Sequence, residues 1–170
     1  MSLIDLLRPK WQKRDPKTRI TALKTLKDMS LLTEIAQHDQ SENVRIEAIH
    51  QVNDDSLLEK IVMNSKFHET ALIALKKITH EKNLFLIVVK SEDINIRNVA
   101  IERIKDERFL AEILKSCNCL STCIAATVKI TDVKLLEEIH TRNNHNPQIL
   151  IAIMDRIKHL TQSALSALST

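Results

Sequence analysis

Alanine stands at Ala22, Ala48, Ala74, Ala100 and Ala126, each 26 residues after the last, and whole segments recur with it. Asp28 opens a stretch carrying Leu31, Leu32, Ile35 and Ala36. One period later Asp54 opens Leu57, Leu58 and Ile61 in the same places. A fixed period of this length means a chain assembled from copies of one supersecondary element, none of which can bury its own apolar face alone. The spacing inside each copy is helical. A first helix, A, has apolar residues at i, i+1, i+4 and i+5, as in Phe109, Leu110, Ile113 and Leu114. At its head Asp28, Asp54, Asp106 or Asp132, with His80 in the equivalent place, is positioned to accept the free amides of the first turn. A polar connector follows, such as His38 to Glu42 or Lys90 to Asp93. A second helix, B, then carries the alanine with apolar residues one and four places beyond, as in Ala48, Ile49 and Val52 or Ala100, Ile101 and Ile104. A small residue at one fixed helical position lets neighbouring helices approach closely.

Helices of about ten residues are marginal in isolation, so each must bury its apolar side against its neighbours. The expected fold is therefore all-α: a right-handed α-solenoid of about six short helix pairs with a 26-residue period, forming one domain over residues 1–170. The copies fall at approximately 1–27, 28–53, 54–79, 80–105, 106–131 and 132–158, with 159–170 as a C-terminal cap. Glycine is absent and there are only three prolines, which disfavours tight hairpins and removes any glycine-rich phosphate loop.

The end copies are less regular. Leu3, Leu6 and Leu7 mark a short helix that should stop before Pro9. Asp15 and Pro16 read as an N-cap and a first helical residue, starting a helix from about Pro16 to Lys27. Trp11 lies in the connector and is expected to fold over this end as a lid; the alternative is an indole that stacks on a ligand. In the last copy a longer connector from Thr141 to Pro147 leads to a helix with Ile149, Ile153 and Ile157. His159 to Thr170 is read as one more helix over the open end, or as the start of further copies.

Asp39 with Arg45 after Val44, Asp15 and Pro16 with Arg19, and Asp93 with Ile96 and Arg97 form a pattern that resembles HEAT-like repeats over essentially the whole chain. The period is shorter than the roughly 40–47 residues usual for such repeats. Arg8, Pro9, Lys10, Trp11 and Gln12, followed by Asp15 and Pro16, are similar to the opening of bacterial proteins with short HEAT-like repeats ahead of another helical domain. The resemblance implies a ladder of hydrogen bonds between connector aspartates and B-helix arginines, interrupted where Ala71 and Cys123 replace the arginine. It also implies that the B helices line the concave side, and it names no activity.

With Ala48 and Val52 inward, the positions equivalent to 47, 50 and 51 face outward. They supply the candidate partner-binding residues Lys24, Ile73, Lys76, Lys77, Val99, Arg103, Val128 and Lys129, a basic row with apolar residues interleaved. Such a row suits an acidic, partly apolar segment, for example an amphipathic partner helix laid in a groove; a solvated lysine face is the plainer reading. Helix A instead presents Glu34, Glu59, Glu112, Glu137 and Glu138. Asn83 to Val89 is apolar all round. Leu84, Ile87 and Val88 take the core positions, so Phe85, Leu86 and Val89 are expected outside beside Met63, as a homodimer contact. The alternative is cover from the connector that holds Phe67.

Cys117, Cys119 and Cys123 are close enough in sequence to suggest thiolate ligation, but they lack paired C-x2-C knuckles. By register Cys123 takes the place of Arg45 and Cys117 ends helix A, so both read as small apolar side chains, and whether the three bind a metal stays open. His140 takes an apolar slot. No catalytic, cofactor or metal residues are assigned and no enzymatic activity is expected. No apolar run approaches the ~20 residues that span a bilayer. The first eight residues lack the features of a secretory signal, so a cytoplasmic location without membrane partners is expected. The functional expectation is a non-enzymatic protein–protein interaction scaffold, docking a partner on the B-helix face or self-associating. The alternative is sequence-independent binding of nucleic-acid backbone by Lys24, Lys76, Lys77, Arg103 and Lys129, which would be strongly salt-sensitive.

Overall fold

The computed structural model describes residues 8–117, 119–142 and 146–167, and among them every regular element is helical, with no strand. A 3-10 turn at Lys10–Gln12 precedes eleven α-helices. These are α1 (Pro16–Leu23), α2 (Met29–His38), α3 (Glu42–Gln51), α4 (Asp55–Asn64), α5 (His68–Lys77) and α6 (Glu81–Lys90). They continue as α7 (Ile94–Arg103), α8 (Glu107–Ser116), α9 (Leu120–Lys129), α10 (Val133–Arg142) and α11 (Pro147–Ala167). The chain divides into two compact units, up to Asn83 and from Leu84, with the boundary inside α6.

In the first unit α2 packs on α3 and α4 on α5; the A helices α2 and α4 touch, and the B helices α1, α3 and α5 touch in series. The second unit repeats the scheme: α8 on α9, α10 on α11, A helices α8 and α10 together, B helices α7, α9 and α11 together. The alanines sit where the helices meet. Ala48, Ala74, Ala100 and Ala126 are fully buried, while Ala22 in the first described helix is half-buried.

Helix starts follow the sequence. Asp28 accepts Leu31 N–H, Asp54 accepts Ser56 and Leu57 N–H, and Asp106 accepts Arg108 N–H. Asp15 and Asp93 cap their own helices in the same way, accepting amides of the first turn. The arginines instead reach back to connector carbonyls and forward one copy. Arg19 donates to Lys13 O and Arg14 O and, through Nε and Nη2, to both oxygens of Asp39. Arg45 donates to Asp39 O, Gln40 O and Thr70 Oγ1. Arg97 donates to Ser91 O, Glu92 O and Thr122 Oγ1. Ala71 and Cys123, in the arginine's place, are buried.

Two boundaries differ from expectation. Helix α1 ends at Leu23 rather than near Lys27, because Thr25 turns both its N–H and its hydroxyl onto Ala22 O and closes the helix. At the other end α11 runs unbroken through residues 158–167 instead of starting a separate helix at His159. Nothing between Ile149 and Ala167 breaks a helix, and the Thr161 and Ser163 hydroxyls bond within it to Ile157 O and His159 O. Beyond Ile157 only Leu160 is even half-buried among the described residues, so this segment extends outward instead of folding back. Leu3, Leu6, Leu7 and part of the 141–147 connector lie outside the described residues.

Candidate interaction surfaces

The B row of the second unit carries a groove. Between α7 and α9 lies a cleft of about 630 Å3 lined by Asn98, Ile101, Glu102, Ser121, Ile124, Ala125, Val128 and Lys129. Between Ser121 and Lys129 its wall from α9 is apolar, and Val128 is 58% exposed and Ile124 39%. Helix α11, which packs on α9, carries its own exposed Ile151 and Met154. Of the residues expected here, Val128 is on the surface, whereas Val99 and Arg103 are half-buried.

Lys129 does something the sequence reading did not foresee. Its Nζ donates to Glu102 O, 3.1 Å away at the end of the neighbouring B helix. In the first unit Lys77 does the same, with Nζ at 3.0 Å from Ile49 O, 2.7 Å from His50 O and 3.1 Å from Asn53 Oδ1. Arg156 Nε donates to Ile130 O in turn. Each cation closes the C-terminus of the preceding B helix, where orphan carbonyls and the helix dipole favour positive charge. Burial pushes the Lys77 amine below its ordinary pKa. Lys24 and Lys76 stay exposed, and Ile73 is half-buried.

A second device also escaped the sequence reading. Asp55, the first residue of α4, accepts the backbone N–H groups of Thr79 and His80 as well as their side chains. Two periods later Glu107 accepts Thr131 and Asp132 in the same manner. Each acid ties the head of one A helix to the segment that begins the next copy. The signal was available as an acid at Asp55, Glu81 and Glu107, one period apart.

On the A row of the second unit, Leu84, Ile87 and Val88 are buried as expected. Phe85 is half-buried and stacks on Phe109 at 5.5 Å between ring centroids and 28° between planes, so part of its apolar face is already covered. Leu86 is half-buried and Val89 exposed; Met63, in the first unit, is half-buried. Phe67 belongs to the first unit, where the Arg45 guanidinium lies 3.5 Å from the centroid of its ring.

Cys117 caps the end of α8, and Cys119 caps the start of α9. Cys123 is fully buried and its thiol donates to Cys117 O. Burial, reinforced by the neighbouring cysteines, pushes Cys123 up to about 12. Cys119 is pulled down to about 6 by the hydroxyls of Ser121 and Thr122 and the Thr122 N–H, against a desolvation penalty, with a smaller contribution from Arg97. Arg97 Nη2 is 3.5 Å from the Cys119 sulfur. Among the described residues no group of three His, Cys, Asp or Glu side chains is arranged to hold a metal ion. His140 is half-buried.

The first unit has a cleft of its own, about 760 Å3, beside Trp11. The 3-10 turn, the start of α1 and the connector between α2 and α3 wall it. Among the described residues no helix is long and apolar enough to cross a membrane. Comparison with protein-family models, with curated proteins and with solved structures returns no match.

Proposed function

We propose that this chain is a non-catalytic docking module: a HEAT-like α-solenoid of 26-residue helix pairs whose B-helix row is presented to a protein partner. The solenoid reading is supported by the same packing scheme in both units and by bonds to backbone carbonyls that recur one period apart from Arg19 to Arg45 and two periods apart from Lys77 to Lys129. The observation that carries the docking reading is the groove between α7 and α9, with Ile124 and Val128 left in solvent along it. A helix lying there would seat apolar side chains at i, i+3 and i+4 spacing against these residues. Exposed contiguous apolar surface of this kind usually marks an interface. Separately, the B helices of the first unit carry exposed Lys24 and Lys76, cations that an acidic segment of a partner would neutralise there.

The nucleic-acid alternative draws on fewer cations than the sequence suggests, since Lys77 and Lys129 are occupied with helix carbonyls. Self-association through Phe85, Leu86 and Val89 is likewise weakened by the Phe85–Phe109 stack. Cys117, Cys119 and Cys123 are all thiols outside any disulfide, which fits a reducing, cytoplasmic setting.

The test is quantitative affinity capture with wild type, Val128→Glu and Lys24→Glu. Polypeptides bound by wild type and lost specifically with Val128→Glu support the groove. Recovery of the same set with Val128→Glu rejects it. Light scattering of wild type and Phe85→Glu checks self-association, and gel shifts at two salt concentrations check nucleic acid.

A further inference from the structure

The chain's three cysteines gather where α8 passes into α9, at positions that serve the arginine bonds in other copies. There, Arg45 Nη1 donates to Asp39 O at 2.8 Å and Arg97 Nη1 to Ser91 O at 2.7 Å, so the B helix holds the residue that follows the A helix. One period beyond Arg97 stands Cys123, and one period beyond Ser91 stands Cys117. The tie survives the exchange: Cys123 Sγ donates to Cys117 O at 3.1 Å. Both ends of it are now cysteines, and the Cys117 thiol is close enough to act on the Cys123 thiol directly. Cys119, at the N-cap of α9, sits in a different setting. It is half-buried where Cys123 is fully buried, with Ser121 Oγ at 3.3 Å and Arg97 Nη2 at 3.5 Å from its sulfur. The Ser121 hydroxyl leads the contacts that favour a thiolate at Cys119, whereas burial, and after it Cys117, keeps Cys123 protonated. The reactive sulfur and the sheltered pair are thus different residues of one cluster.

We propose that the three cysteines form a thiol-modification site: a low-molecular-weight disulfide of the glutathione class is captured at Cys119, and the oxidation ends as a Cys117–Cys123 disulfide that ties the end of α8 covalently to α9. In the first exchange the Cys119 thiolate attacks one sulfur of the incoming disulfide, and one small thiolate leaves. Cys117, after losing its proton to solvent, attacks the Cys119 sulfur and expels the second small thiolate. Cys123 loses its proton in turn, attacks the Cys117 sulfur and returns Cys119 as a thiolate. Two protein thiols are oxidised and one small disulfide is reduced to two thiols, which take up the two protons. The leaving group sets the direction, because the most acidic thiol departs most readily and the disulfide settles on the other two. In a reducing compartment the three rest as thiols. This reading does not rest on the docking reading.

The test is thiol exchange on the full, reduced chain. Oxidised glutathione is added at neutral pH, free thiols are blocked at intervals with iodoacetamide, and disulfides are then reduced and labelled with N-ethylmaleimide. All three cysteines fall in one tryptic peptide, 116–129, so fragment spectra place the two labels within it. A glutathione adduct on Cys119 is expected first. Cys117 and Cys123 should then carry the second label while Cys119 carries the first. The variants copy other parts of the same chain: Cys119→Ser places the residue found at Ser41, and Cys123→Ala the residue found at Ala71. Cys119→Ser should slow formation of the Cys117–Cys123 disulfide by about tenfold or more, with circular dichroism unchanged. Cys123→Ala should leave Cys119 in the oxidised fraction. The proposal is overturned if Cys119 of the wild type ends as a lasting adduct or paired with Cys117, or if Cys119→Ser is oxidised at the wild-type rate. It is overturned equally if the chain reacts only once unfolded in urea.

Discussion

Replacing Arg45 by alanine should be among the most damaging single changes in the first unit. Arg45 is 5% exposed, and its guanidinium is held at 2.8 Å by Thr70 Oγ1, at 2.8 Å by Asp39 O and at 3.2 Å by Gln40 O, with the Phe67 ring 3.5 Å beneath it. A hydrogen bond from a charged donor contributes about 1.5–3 kcal/mol net. A desolvated cation–π contact adds about 2 kcal/mol. Burying the guanidinium costs several kcal/mol, and that cost is relieved in the variant, so the gains are not simply lost. Thr70, however, is fully buried and would be left without this donor, and the space under the arginine stem would be empty. The balance comes to about 3–5 kcal/mol, the range seen when one member of a buried polar pair is removed. For a chain of this size that corresponds to a fall in Tm of roughly 6–20 °C. Thermal and urea unfolding followed by Trp11 fluorescence reports on this unit, since Trp11 and Arg45 both belong to it. Arg45→Lys keeps the charge without the fork and should fall between the two. A loss below about 1 kcal/mol for Arg45→Ala, the scale of a surface charge, would refute the view that this arginine joins two copies.

Three further outcomes are expected. Burial opposes ionisation of Asp55, but the N–H groups of His80 and Thr79, with their side chains, outweigh it and hold its pKa below the ordinary 3.8. A carboxylate with a depressed folded pKa adds stability above its unfolded value that is lost as pH falls through the folded one. Asp55→Ala should therefore lower Tm at neutral pH, and the gap to wild type should close as the pH is taken below 3.8. In the native protein iodoacetamide should label Cys119 first, with a rate that rises through a midpoint near pH about 6, while Cys123 stays unlabelled until unfolding; mass spectrometry of quenched samples decides. Lys77→Ala should cost about 1 kcal/mol by removing the cation at the end of α3, whereas Lys24→Ala should be close to neutral in the same denaturation assay.

The sequence by itself determined the helices and the core. A period of 26 with apolar residues at helical spacing leaves one arrangement of buried faces, and Ala48, Ala74, Ala100 and Ala126 are buried where that period puts them. Aspartates before helices were equally legible, because capping is decided within three residues of chain. What only the tertiary structure decided were the partners of long side chains. Lys77 and Lys129 read as a free basic row, yet each reaches some 27 residues back to a helix end, and no local pattern says where a four-carbon stem will find its acceptor. Phe85 read as exposed because Thr33, Glu59 and Glu137 hold its place in other copies; Phe109, 24 residues away, covers part of it. The Trp11 cleft has the same origin. It depends on Ser41 standing where another copy has Phe67, and the absence of a side chain becomes visible as space only when neighbouring copies are packed together. Short-range hydrogen bonding and periodic burial are written along the chain, whereas contacts between copies belong to the packed structure.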